Sequence, residues 1–90
     1  MRFAWDRRKD ASNARKHGVT FVEATTVFGD PLSMTIQDPD HFVDEERFVL
    51  VGVSMRGRLL VVVHVEHGDT IRLISARTAQ PAERRAYEES

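Results

Sequence analysis

The stretch from Arg58 to Arg77, RLLVVVHVEHGDTIRLISAR, constrains the fold more than any other part of the chain. Leu59 to Val63 is the longest apolar run in the sequence, and His67-Gly68-Asp69 interrupts the pattern before a second β-favouring run ends on Ser75-Ala76-Arg77. β-Branched residues pack well on a pleated surface, whereas Gly and Asp favour tight turns, so the stretch reads as two antiparallel strands and a hairpin. Residues 47–54, RFVLVGVS, are apolar on alternate and intervening positions, as a central strand requires. Met55-Arg56-Gly57-Arg58 supplies the turn between that strand and the next.

Antiparallel neighbours share a face, so turn length fixes which side chains meet. With Arg56-Gly57 as a two-residue turn, Val53 pairs with Leu60, Val51 with Val62 and Val49 with His64. An even-length turn at Gly68 then places Arg77 on the face of Leu60. Arg58 and Arg77 are expected to approach each other there, with Arg47, His64 and Ser75 on the same face. Two guanidinium groups in proximity repel unless an anion lies between them. An odd-length turn would separate them.

The rest of the chain follows in order. Phe3 and Trp5 alternate with polar neighbours and suit a short strand or an anchoring arm. Asp6 is an N-cap for a polar helix over 7–16, stopped by Gly18, with Lys16 and His17 at its C-terminal end. Thr20 and Glu23 form a capping box for a second helix, whose apolar stripe is Phe21, Ala24, Thr25 and Phe28 before Gly29. Leu32, Met34 and Ile36 alternate with polar residues and predict a half-buried strand near a sheet edge. The segment DPDHFVDEE lacks calcium-loop ligand spacing and is expected to be a solvated acidic loop. Residues 81–89, PAERRAYEE, make a short polar last helix with Pro81 at N1. The expected fold is one α+β domain over 1–90. It has two layers, an antiparallel sheet of four to five strands with flanking helices, in the order β-α-α-β-β-β-β-α.

Composition narrows the chemistry. The absence of cysteine removes disulfides and thiol catalysis. The opening MRFAWDRRKD carries no apolar leader, and no run approaches the ~20 apolar residues of a membrane span, so a cytoplasmic protein without membrane contact is expected. The net charge of −1 hides an asymmetry. Residues 1–17 carry Arg2, Arg7, Arg8, Lys9, Arg15 and Lys16 against Asp6 and Asp10, whereas Glu23, Asp30, Asp38, Asp40, Asp44, Glu45 and Glu46 outnumber Arg47 over 18–50. A near-neutral total therefore permits an anionic ligand at one face and a basic partner at another.

Arginines with a histidine or lysine are what metal-free cleavage of an RNA phosphodiester needs. A base assists attack by the 2′-hydroxyl, cations stabilise charge on the phosphorane, and an acid protonates the leaving oxygen. His17, Lys16, His64, Arg58 and Arg77 supply those types. Each also has a structural reading. Lys16 and His17 complement a helix C-terminus. Arg72 can pair with an acid of the 38–46 segment, His64 suits a hydrogen-bonded core position, and Tyr87 can anchor the last helix.

The chain carries F-x-W-D at Phe3 to Asp6, Asn13 followed by KHGVTF at Lys16 to Phe21, EA at Glu23-Ala24, and VFGDPL at Val27 to Leu32. EERF at Glu45 to Phe48, GVSMRGRLLVVV at Gly52 to Val63, GDTIRLISAR at Gly68 to Arg77 and ERRAYE at Glu83 to Glu88 complete a set that spans essentially the full length. These distributed motifs resemble those of the BrnT family, ribonuclease toxins of bacterial BrnT/BrnA toxin–antitoxin pairs. The resemblance implies a fold like that of the RelE toxins and inhibition of translation by metal-independent RNA cleavage, with no cofactor. It implies neutralisation by a BrnA-type antitoxin that binds DNA, so that DNA is reached only through the antitoxin. Carried over by position, Lys16, His17, Arg58 and Arg77 form the expected catalytic set. Arg72 is an expected RNA contact, and Arg47 joins it from the sheet face derived above. The competing reading is a non-catalytic module that binds protein or nucleic acid without turnover.

Overall fold

The computed structural model describes residues 1–37 and 45–90. Its elements are β1 (Arg2–Ala4), α1 (Arg7–His17), α2 (Phe21–Thr26), a 3₁₀ turn (Val27–Gly29), β2 (Met34–Gln37), β3 (Arg47–Val53), β4 (Leu59–His67), β5 (Thr70–Thr78) and α3 (Pro81–Glu89). The five strands form one sheet in the order β1-β5-β4-β3-β2.

Local signals place the element ends. The Asp6 carboxylate accepts hydrogen bonds from the backbone N–H of Arg8 and Lys9, and Gly18 closes α1 at φ +70°, a left-handed conformation that Gly adopts without a Cβ penalty. Thr20 accepts from Glu23 N–H to start α2. The chain then tightens into the 3₁₀ turn, so Val27 rather than Thr25 joins Phe21 and Ala24 in the core. These three pack with Val19, Leu50, Leu60, Val62, Leu73 and Ala76 on one face of the sheet. Each fully buried aliphatic or aromatic side chain there contributes about 1.5–3 kcal/mol.

The sheet corrects the expected architecture in three ways. It is mixed, because β1 runs parallel to β5, with Phe3 opposite Ile71. The connection from β1 to β2 crosses the sheet as α1 and α2 instead of turning as a hairpin, and so imposes no antiparallel pairing. Helices also lie on both faces, not one. Ala79 and Tyr87, which flank and belong to α3, pack on Val51, Leu59 and Val61, the face opposite α1 and α2.

The third correction concerns register. The β3–β4 loop is odd: Val53 pairs with Leu59 and Val51 with Val61. Ser54 N–H donates to Arg58 O and Gly57 N–H to Ser54 O, leaving Met55-Arg56-Gly57 as a three-residue loop with Gly57 at φ +78°. At the second hairpin the two-residue turn Gly68-Asp69 is even, as expected, since His67 pairs with Thr70. Farther along, however, His64 pairs with Leu73 and Val63 with Ser75, so Ile74 is an extra residue in β5. This bulge pairs Arg77 with Val61, away from the face of Leu60. The acidic segment expected as a solvated loop lies outside the described residues over 38–44.

Candidate active site at the end of α1

Arg58 follows the odd-length loop and points towards α2, where Glu23 meets it. Its Nε donates to Glu23 Oε2 at 2.9 Å and its Nη2 to Glu23 Oε1. Nη2 also donates to the carbonyl of Gly18, 3.0 Å away, at the end of α1. The Glu23 side chain is 5% exposed and accepts a further 2.7 Å bond from the Ser54 hydroxyl, with Arg56 Nη1 at 3.6 Å. The expected capping box is therefore half formed: Thr20 caps the helix, but the Glu23 carboxylate turns inward to the arginine. Hydrogen bonding from Arg58 holds the Glu23 carboxyl below its ordinary range, against the opposing effect of burial, with Ser54 adding to the effect.

Two basic residues of α1 precede the glycine that Arg58 reaches. Lys16 and His17 occupy the last turn immediately before Gly18, so the Arg58–Gly18 bond ties the three positions together across the fold. Lys16 is exposed and His17 half-buried. Both line a groove of about 220 Å³ with Lys9, Ser12 and Asn13 of α1 and Ile74 and Ser75 of β5. Asn13 builds that groove. Its amide donates to Ala76 O at 2.7 Å and Val19 O at 2.9 Å and accepts from Ala76 N–H at 3.1 Å. β1 pairs only with Thr70 to Arg72, so beyond it a side-chain amide takes the place of the missing neighbouring strand.

Arg77 lies elsewhere. It projects on the α3 face, where Nη1 and Nη2 form a fork with the two oxygens of Glu83 at 2.8 and 2.6 Å. The expected Arg58–Arg77 juxtaposition does not form, because the Ile74 bulge moves Arg77 to the sheet face opposite Arg58. Arg72 pairs with Glu45, which also meets His67. Arg47 starts β3 opposite Val65. His64 is a core histidine, 1% exposed, with Nε2 3.0 Å from Glu66 Oε2 and its ring between those of Phe28 and Phe48.

Several residues that organise the site carried only part of their role in the sequence. Glu23 read as a cap, Ser54 as the end of a strand, and Glu83 as a first-turn acid. Asp30 read as a turn residue, yet it accepts from Val53 N–H at 2.8 Å and from the Tyr87 hydroxyl at 2.7 Å. Burial pushes the Asp30 carboxyl up, but those two bonds and one from Leu32 N–H together hold it below its ordinary value.

A family profile described as the ribonuclease toxin BrnT of type II toxin–antitoxin systems matches residues 5–83. The chain belongs to this family. Membership implies an antitoxin partner. The crystal structure of the Brucella abortus ribonuclease toxin BrnT superposes with a TM-score of 0.65 at 22% sequence identity, covering 89% of this chain and 97% of that one. That likeness extends the family assignment to the fold, a five-stranded sheet with three helices. No curated protein matches the chain. Among the described residues, no helix is long and apolar enough to cross a membrane.

Proposed function

We propose that this BrnT-family chain is the toxin of a type II pair and cleaves RNA through its 2′-hydroxyl without a metal ion, with Lys16, His17 and Arg58 at the reacting phosphate. The observation that carries the proposal is the Arg58–Gly18 bond, which ties the arginine that follows the β3–β4 loop to the backbone residue next to Lys16 and His17 at the end of α1. With Nε and Nη2 committed to Glu23 and Gly18, Arg58 keeps Nη1 uncommitted among the described residues, suited to stabilising charge on a phosphorane oxygen. His17 and Lys16 are the candidates for proton transfer and phosphate positioning. Arg77 is paired with Glu83 on the opposite face of the sheet and would serve the same phosphate only if the β5 register changed as well as that pair. Arg72 and Arg47 would contact RNA farther along the sheet.

In this reading a small DNA-binding antitoxin of the BrnA type neutralises the toxin in the cytoplasm and represses the operon with it. The kinship with RelE toxins belongs to the same proposal. The pairing of Arg58, Arg72 and Arg77 with carboxylates favours a second reading, a module that binds without turnover. Induced expression without the partner separates the two. Growth arrest relieved by the double variant Lys16→Met/His17→Ala supports cleavage, whereas harmless wild-type protein contradicts it.

A further inference from the structure

The groove between α1 and β5 extends well beyond the residues assigned to the reacting phosphate. Lys9, Ser12, Asn13, Lys16 and His17 recur at helical spacing and form one side of it, while Ile74 and Ser75 form the other. Among the described residues no carboxylate lines it. Neither Lys9 nor Lys16 makes an ion pair among the described residues, in contrast to Arg58, Arg72 and Arg77, which are all matched by acids. The groove is thus an unneutralised cationic channel on a protein of net charge −1. Its walls are held by the buried Asn13–Ala76 bonds, and the Ile74 bulge supplies its far side.

We propose that this groove is a backbone track for single-stranded RNA, in which Lys9 and Lys16 hold different phosphates of one strand and the Ser12 and Ser75 hydroxyls donate to the sugar–phosphate chain. Seven residues along a helix separate the two lysines by about 10 Å along the axis, farther than one phosphate group spans. Successive phosphates of one strand can therefore engage the two lysines separately. The track rests on the proposed ribonuclease reading, because it leads the strand to Lys16 and His17, but it concerns binding and can fail or stand separately.

Phosphate contacts release counterions, and on single strands each contributes about 0.7 to the slope of log affinity against log salt. The test uses a 2′-O-methyl RNA oligomer, which lacks the attacking hydroxyl and cannot be cleaved. Its dissociation constant is measured by fluorescence anisotropy across a salt series for the wild type, Lys9→Gln, Lys16→Gln and Arg85→Gln. Arg85 is an exposed α3 residue outside the groove. Each lysine variant is expected to flatten the slope by about 0.7, while Arg85→Gln leaves it unchanged. Ser12→Glu, an exposed position that adds negative charge to the channel, is expected to weaken binding at low salt. Inorganic phosphate at millimolar concentration should not displace the oligomer. A wild-type slope in Lys9→Gln, or an equal loss in Arg85→Gln, overturns the track. Slopes that follow the lysines in a protein that leaves ordinary RNA intact would support the track and refute the ribonuclease reading. Cleavage with lysine-independent slopes would do the reverse.

Discussion

Two arginine–glutamate pairs join the sheet to its helices, one on each face, and they are not equivalent. On the α2 side the carboxylate of Glu23 is 5% exposed and receives Arg58, Ser54 and Arg56. On the α3 side Glu83 and Arg77 meet in an ideal fork, but their side chains are 29% and 35% exposed. The first pair satisfies a buried charge that has few other partners. The second closes a polar helix that has no buried residue of its own. Geometry alone would rank them alike, and burial separates them. Losing a partner from the first leaves a charge in a low-dielectric site, whereas water can replace a partner in the second.

The largest expected effect follows directly. Arg58→Met should lower unfolding stability by about 2–4 kcal/mol, read from urea denaturation, since Glu23 would keep only Ser54 and the distant Arg56. A loss no greater than that of an exposed pair would erase the distinction. The packing beneath the α2 side offers the next contrast. A Cβ at Gly52 would sit 2.9 Å from both Val27 Cγ1 and Ser33 Cβ. Gly52→Ala should therefore cost about 1–3 kcal/mol by overpacking, and unchanged stability would show that the 3₁₀ turn moves freely.

Acid sharpens the comparison further. Glu23 and Glu83 both titrate below their ordinary value, each held down first by its arginine. A depressed folded-state value means that the stability is present above the ordinary carboxylate range and is lost as pH falls through that range and below it. Glu23→Gln should flatten the acid side of the stability curve more than Glu83→Gln does. The smallest effect belongs to the α3 pair at neutral pH. Glu83→Gln should change stability by about 1 kcal/mol or less, and less still in high salt. A drop as large as that of Arg58→Met would mean that α3 is as firmly seated as α2.

What the sequence made legible was local. Asp6, Gly18, Thr20 and Gly68 mark element ends through bonds and backbone angles formed within a few residues, and the structure places them accordingly. The Met55-Arg56-Gly57 loop was also within reach, because a Gly in the third position of a three-residue loop is a recognisable signal. The Ile74 bulge left a fainter mark: in β5 Thr70 and Arg72 alternate with Ile71 and Leu73, and the phase slips by one at Ile74 before Ser75 and Arg77. β4 is apolar on both faces, so it offered no pattern against which that slip could be checked. Arg58 was visible as a candidate, but its partner lies on α2, where Glu23 satisfied a capping motif equally well. Only burial distinguishes those roles. The groove escaped because Asn13 and Ser75 become neighbours through the sheet edge, not through the chain.

Turnover by the purified protein tests the central claim most directly. RNA incubated with wild-type protein in the presence of EDTA should be cut to products ending in 2′,3′-cyclic phosphate, the product of attack by the neighbouring hydroxyl. The folded Lys16→Met/His17→Ala variant should leave it intact. Uncut RNA with the wild type, or cutting undiminished in the variant, would contradict the account.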